Sequence, residues 1–383
     1  MDMKNIYLET KQRKDCNGCG ICAIGCPVDA IHMVEDNEGF YYPEIDESKC
    51  IKCNKCKNIC SNYNDSNNNE DAYMAINKNK EELKNSASGG MFYILAKYVI
   101  EKKGVVFGVE YGENLKVQHN HYEALEDCKK FQGSKYIRSD IGNSYQEVEM
   151  FLKEDRWVLF TGTPCQCNAL RTYLNKEYDK LIICEIICHA NPSQKVFDKY
   201  VKELEEKNNK KVIDVKFRDK ETGWKNSTPV ICFEDGTKQE EKSFYLAFVN
   251  ELFDRPSCHD CKFANTNRIS DFTIGDFWGI DKVLPDVKDD NTGISLITVN
   301  TDKAKVIFEE VKDNLEIARV DKEDAFKYNH HFNIPMHKNR QKFFDNLENK
   351  SIIENIQECL KVSFIKKVSR KCKRIAKKIL KRS

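Results

Sequence analysis

At 383 residues the chain is too long for one small domain and has room for two or three of about 100–200 residues each. Its 62 Lys and Arg nearly balance its 61 Asp and Glu, yet eleven of the basic residues fall between Lys361 and Ser383, where no acid occurs, so that 51 basic face 61 acidic side chains before this tail. The opening MDMKNIYLETKQRKD lacks the apolar core of a secretion signal and no stretch of eighteen apolar residues occurs, so the chain is expected to stay in the cytoplasm without spanning a membrane.

Eighteen cysteines in such a chain point to metal rather than to disulfides. The first eight form two runs, Cys16, Cys19, Cys22, Cys26 followed by Pro27, and Cys50, Cys53, Cys56, Cys60, both spaced C-x2-C-x2-C-x3-C. In this bacterial-ferredoxin pattern three thiolates from one run bind three corners of an iron–sulfur cube, and the fourth reaches the other cluster. The expected ligands are Cys16, Cys19, Cys22 and Cys60 for a first [4Fe-4S] cluster, and Cys50, Cys53, Cys56 and Cys26 for a second. Disulfides or zinc are the alternative, but neither explains a repeated run closed by Pro. The 23 residues between the runs include NEGFYYPEID, read as a hairpin that shapes a partner docking surface. The module is expected over residues 1–62, with the Asn- and Asp-rich residues 63–71 as a linker.

From Ala72 the pattern becomes α/β, with a strand near Tyr73–Ile76, a helix over Met91–Lys102 stopped at Gly104, and a strand at Val105–Tyr111. That helix opens on Ser86-Ala87-Ser88-Gly89-Gly90, which reads as a Ser-capped start whose free N–H groups form an anion site, or as an ordinary capped start. WVLFTGTPCQCNALRTYL gives a buried strand, a Gly-Thr-Pro turn and a helix beginning near Cys165; LIICEII then gives a second buried strand, Leu181–Ile187, with Cys188 just past it. A parallel crossover would bring Cys165 and Cys188 together at the carboxyl ends of neighbouring strands. Cys258-His259-Asp260-Cys261 supplies two more thiols, enough for a third cube or for zinc. The other six, Cys128, Cys167, Cys184, Cys232, Cys359 and Cys372, read as small buried hydrophobes or tail residues, with Cys167 and Cys184 near enough to the third site to stand in reserve as ligands. The core is expected over 72–355. A basic amphipathic helix over 356–383 suits an anionic membrane surface at the inner face, or the acidic body of this chain or a partner. No aromatic interleaving supports nucleic acid.

These motifs together resemble the family of coenzyme F420 hydrogenase/dehydrogenase beta subunits from about Ala72 to Thr301, with a ferredoxin module in front. The resemblance rests on Ser88-Gly89-Gly90, Gln132-Gly133-Ser134-Lys135-Tyr136, Phe160-Thr161-Gly162-Thr163-Pro164-Cys165-Gln166, Cys188-His189, Phe217-Arg218-Asp219-Lys220 with Gly223-Trp224, and Cys258-x2-Cys261 with Gly275-Asp276-Phe277-Trp278-Gly279. It implies a small ferredoxin-like domain followed by a larger mixed α/β flavin and iron–sulfur domain. It also implies FAD, and a third [4Fe-4S] cluster on Cys165, Cys188, Cys258 and Cys261. Ser88, Gly89, Gly90, Lys135, Tyr136, Thr161, Gly162 and Thr163 would lie at the flavin, with Lys135 and Arg218 facing a reduced flavin or an acidic substrate. The implied function is an oxidoreductase passing electrons between a hydride-type donor or small substrate, FAD and the clusters, with a ferredoxin or other redox protein as partner. The alternative is an electron relay without its own substrate. No G-x-G-x-x-G opens a βαβ unit and no P-loop, H-E-x-x-H or G-x-S-x-G occurs.

Overall fold

The structure is a computed structural model that describes residues 5–60, 71–221, 223–225 and 227–361. The expected linker, apart from Asp71, and the basic tail beyond Lys361 lie outside the described residues.

Thirteen strands are described: β1 Ile31–Glu35, β2 Tyr41–Ile45, β3 Asp71–Asn77, β4 Val105–Tyr111, β5 Val117–Tyr122, β6 Val158–Gly162, β7 Leu181–Ile186, β8 Val212–Asp219, β9 Thr228–Phe233, β10 Lys238–Glu240, β11 Phe272–Asp276, β12 Ser295–Val299 and β13 Leu315–Val320. Eight of them form one sheet in the order β13-β3-β12-β11-β7-β6-β4-β5. Its middle, β11-β7-β6-β4, is parallel, and antiparallel strands extend it on both sides. The helices Met91–Glu101 and Asp302–Val311 pack on one face, and Ser144–Lys153 and Pro164–Leu174 on the other. Coverage on both faces explains why β6 and the first five residues of β7 are buried without alternation. The pairing of β6 with β7 through the helix Pro164–Leu174 is the parallel crossover expected from the sequence. A smaller sheet, β10-β9-β8, closes a second core with the helices Gln194–Asn208, Ser243–Phe248 and Ile352–Leu360.

The N-terminal module, with its antiparallel hairpin β1-β2, is built into this body. Ile21, Cys19, Ile24 and Ile59 join the apolar layer of the helices Ser144–Lys153 and Pro164–Leu174. The hairpin tip turns inward, contrary to its reading as part of a partner surface. Glu38, 5 % exposed, pairs with the buried guanidinium of Arg340, whose Nη1 lies 3.0 Å from Glu38 Oε1, and Ser193 Oγ donates to Glu38 O at 2.8 Å. Gly39 has φ +84°, and a Cβ there would lie 2.4 Å from Lys195 Cβ, so only glycine allows this approach. Phe40 is buried edge-on against Phe344. The insertion between the cysteine runs is therefore the clamp that fixes the module to its own core.

Candidate functional site

The turn after β6 orders the site. Thr161 Oγ1 donates to Phe107 O at 2.9 Å, and Thr163 caps the next helix, its N–H donating to Gln166 Oε1 at 3.1 Å. Behind the turn, His119 Nε2 lies 3.0 Å from Thr161 O; a carbonyl only accepts, so the proton is on Nε2. Nδ1 then accepts from Ser139 Oγ at 3.0 Å, and Ser139 Oγ accepts from Gln166 Nε2 at 2.9 Å. Burial pulls the His119 pKa down to about 4. The folded state thus binds this proton less readily than the unfolded chain, and its contribution to stability is complete above pH 6.5 and lost as pH falls toward 4. Denaturant titration should show the wild type losing about 2 kcal/mol more between pH 7 and pH 5 than His119→Gln; equal losses would show that His119 titrates normally.

Two small sulfur-lined cavities lie beneath the turn. One, of about 30 Å³, is lined by Cys16, Cys19, Cys22 and Cys60 together with Cys165 and Asn17. The other, of about 40 Å³, is lined by Cys165, Cys188, Cys258 and Cys261, again with Asn17. Cys165 and Asn17 therefore form a common wall. Cys56 lies within electrostatic reach of Cys53 and Cys26, and Cys53 is exposed. All of these thiols are free. Burial pushes Cys19 up to about 12 and Cys60 and Cys261 up to about 11, and it raises Cys22, Cys188 and Cys258 as well. Such thiols are poor nucleophiles by themselves and become thiolates when a metal centre takes the proton's place.

A guanidinium that the sequence did not single out joins the two halves. Arg138 Nη1 lies 3.3 Å from Cys165 Sγ while Nη2 donates to Gly18 O at 2.8 Å. Burial alone would lower its pKa, but the Cys165 sulfur, by charge and by hydrogen bond, holds it above the ordinary value. Arg255 adds a second tie, from Nε to Cys16 O at 2.7 Å. Arg138 lies two residues beyond Lys135-Tyr136, so the same motif was its signal; Arg255 had none.

The third cavity is large, about 630 Å³, within the range of small-molecule and cofactor sites. Ser88, Gly90, Lys135, Tyr136, Thr161, Gly162 and Thr163 all line it. Gly89 does not: it packs behind, where a Cβ would lie 2.3 Å from Ala75 O, and its N–H donates to Ser295 Oγ at 2.9 Å. The helix Met91–Glu101 is capped by Gly90 at φ +85° with no side-chain cap, which corrects the expected Ser cap. Ser88 Oγ instead donates to Ile294 O at 2.9 Å, and Lys220 Nζ donates to Ser88 O at 2.8 Å, tying the loop down. Lys135 Nζ donates to the carbonyls of Lys130, Gln132 and Gly133 at 3.1–3.3 Å, and burial lowers its pKa to about 8. Arg218 is not a free cation for an anionic ligand: Nη1 pairs with Asp276 Oδ2 at 2.6 Å and its plane lies 5.0 Å from the Trp278 ring. Tyr136 stacks on Phe248 at 4.6 Å. Cys188, His189, Ala190 and Asn191 line both this cavity and the second sulfur-lined one.

Residues 155–324 match the sequence model for the C terminus of the coenzyme F420 hydrogenase/dehydrogenase beta subunit, and residues 15–63 match that of a 4Fe-4S dicluster domain. The two regions are therefore similar to the C-terminal part of that family's beta subunits and to a dicluster ferredoxin domain. The F420 hydrogenase/dehydrogenase region holds the Thr161–Cys165 turn, Cys188, Cys258 and Cys261, whereas Ser88, Lys135 and Arg138 precede it. The two matches together support an iron–sulfur electron-transfer oxidoreductase. It is similar to the F subunit of the F(420)H(2) dehydrogenase of Methanosarcina mazei, 22 % identical over 322 residues that cover 81 % of this chain and 86 % of that one. An uncharacterized protein of Methanocaldococcus jannaschii is 25 % identical over 219 residues, 46 % of this chain and 58 % of its own length. A chain of the F420-reducing [NiFe] hydrogenase complex from Methanosarcina barkeri superposes with a TM-score of 0.45 at 17 % identity, over 75 % of this chain and 89 % of its own. Among the described residues no helix is long and apolar enough to cross a membrane.

Proposed function

We propose that the chain binds FAD in the large cavity and carries electrons between that cavity and the protein surface through three [4Fe-4S] clusters. The supporting observation is the sharing of walls. Cys188 through Asn191 separate the large cavity from the Cys165, Cys188, Cys258, Cys261 site, and Cys165 with Asn17 separates that site from Cys16, Cys19, Cys22 and Cys60. Cys50, Cys53, Cys56 and Cys26 complete the path at the surface. Among the described residues no three His, Cys, Asp or Glu side chains are gathered as a single metal ion requires. Zinc, at about 2.3 Å from each sulfur, would need thiols about 3.8 Å apart. Four thiols around a common cavity suit a cube that fills the space between them.

A flavin accepts two electrons as hydride and releases them singly, which is the conversion this arrangement requires. The chain's own residues hold and insulate. Thr161, Gly162 and Thr163 present a rigid turn braced by His119, and Tyr136 and Phe248 offer an aromatic wall. Arg138 directs a charged N–H at Cys165 Sγ, which favours the more negative, reduced state of a cluster held there. The substrate is a hydride-type donor or small redox cofactor, and the partner a ferredoxin or other redox protein.

Anaerobic purification followed by iron, zinc and flavin quantitation tests the reading. About twelve irons and one FAD per chain are expected. About eight irons with zinc and no flavin would reduce the protein to a ferredoxin module on a structural domain.

A further inference from the structure

We infer that the loop carrying Cys50, Cys53 and Cys56 is the docking face for an acidic, one-electron carrier protein. The inference rests on the proposed assignment of these thiols, with Cys26, to the outermost cluster. The two halves of the module differ in access. Cys22 is buried and lines, with Cys16, Cys19 and Cys60, a small cavity against the core, whereas Cys53 is exposed. Beside it Ile51 is 62 % exposed, and Pro27 and Val28, next to Cys26, are exposed too. An apolar centre over a shallow redox centre, ringed by charge, is the composition of a small transient interface.

The ring is basic. From Lys49 to Cys60 the sequence holds Lys49, Lys52, Lys55 and Lys57 and no acid. Lys57 pairs with Glu9 at 3.2 Å and Lys49 more loosely with Asp46 at 3.7 Å, while Lys52 and Lys55 are exposed and have no ion pair with any described residue. Lys52 lies in the left-handed region at φ +56°, as does Asn54 at +58°, so the backbone turns sharply on both sides of the exposed Cys53. Glu44 and Glu47 are exposed acids just before the loop, and Asp29 is exposed three residues after Cys26. The rest of the chain before the tail has an excess of acid, so this face is a local positive patch that orients an acidic carrier toward Cys53. In the exchange one electron leaves the reduced carrier and enters the cluster, with no bond or proton moving.

The test uses the anaerobically purified full chain, a dithionite-reduced, desalted acidic 2[4Fe-4S] ferredoxin as probe, and reduced methyl viologen, a small cation, as control. With wild type, transfer from the ferredoxin should slow as salt shortens the screening length from about 30 Å at 0.01 M to about 3 Å at 1 M. Lys52→Glu/Lys55→Glu should cut the low-salt rate at least tenfold and flatten its salt dependence, without slowing methyl viologen. Lys97→Glu/Lys305→Glu, the same charge change on the helices Met91–Glu101 and Asp302–Val311, should stay within twofold of wild type. Should the reversed pair lose iron, Lys52→Gln/Lys55→Gln is measured instead, with at least threefold slowing expected. Ferredoxin rates within twofold of wild type, or an equal loss in the Lys97/Lys305 pair, would overturn the assignment. Absence of flavin would count against the proposed function and leave this result readable, because the electron enters at the module.

Discussion

Replacing Cys258 and Cys261 together by Ser should lower the iron content from about twelve to about eight per chain and stop electrons passing between the large cavity and the N-terminal module. Both thiols come from one short segment, Pro256–Asp260 with Cys261 just beyond it, so their removal strips half of one sulfur-lined cavity and leaves the eight module cysteines in place. Serine is nearly isosteric but is a far poorer ligand for iron, so the fold is retained while the cluster is lost. Cys167→Ser and Cys184→Ser supply the contrast: both residues are buried, neither lines any of the three cavities, and full iron content is expected. A double Cys258/Cys261 variant that keeps all its iron would remove them as ligands.

Arg340→Met should destabilise the protein by about 3 kcal/mol, the low end of the range for breaking a buried ion pair. The substitution leaves Glu38 buried, with Arg13, itself 45 % exposed, as its remaining cation at 3.3 Å. It also removes the bond from Arg340 Nε to Asp254 O at 2.9 Å. Combining Glu38→Gln with Arg340→Met removes the unpaired charge and should recover much of the loss, so a double-mutant cycle in guanidinium isolates the pair. Proteolysis of the N-terminal module should accelerate in the single variant. A single variant within 1 kcal/mol of wild type, cleaved no faster, would mean that the hairpin tip does not anchor the module.

Much of this was legible because it was written in local pattern. Val105–Tyr111 is a strand with the expected bounds, and the turn from Phe160 to Cys165 with the strand Leu181–Ile186 placed Cys165 and Cys188 at neighbouring strand ends. Gathering Cys60 with Cys16, Cys19 and Cys22 followed from spacing alone. Long-range polar ties were not legible. Nothing in the sequence around Glu38 announces a partner 302 residues away, and Arg138 and Arg255 meet the module only after both domains have folded. The Ser86–Gly90 loop misled for a related reason. Ser88 Oγ donates to Ile294 O just before β12 and its carbonyl accepts from Lys220, while Ser86 Oγ donates back to Glu82 O, so neither hydroxyl caps the helix. Arg218 read equally as a cation facing the flavin or as one half of a salt bridge, and only the fold supplied its partner, Asp276, 58 residues away.

The shared wall at Cys165 changes how the module should be regarded. A separate ferredoxin reaches its enzyme by collision, at a rate set by how much of each protein is present. Here the inner thiol set is held against the core by Arg138, Arg255 and the Glu38–Arg340 pair, so the effective concentration of one redox site at the other is that of a fixed neighbour. Dilution that would starve a pair of free proteins leaves this step untouched, and only the outer face remains subject to mass action.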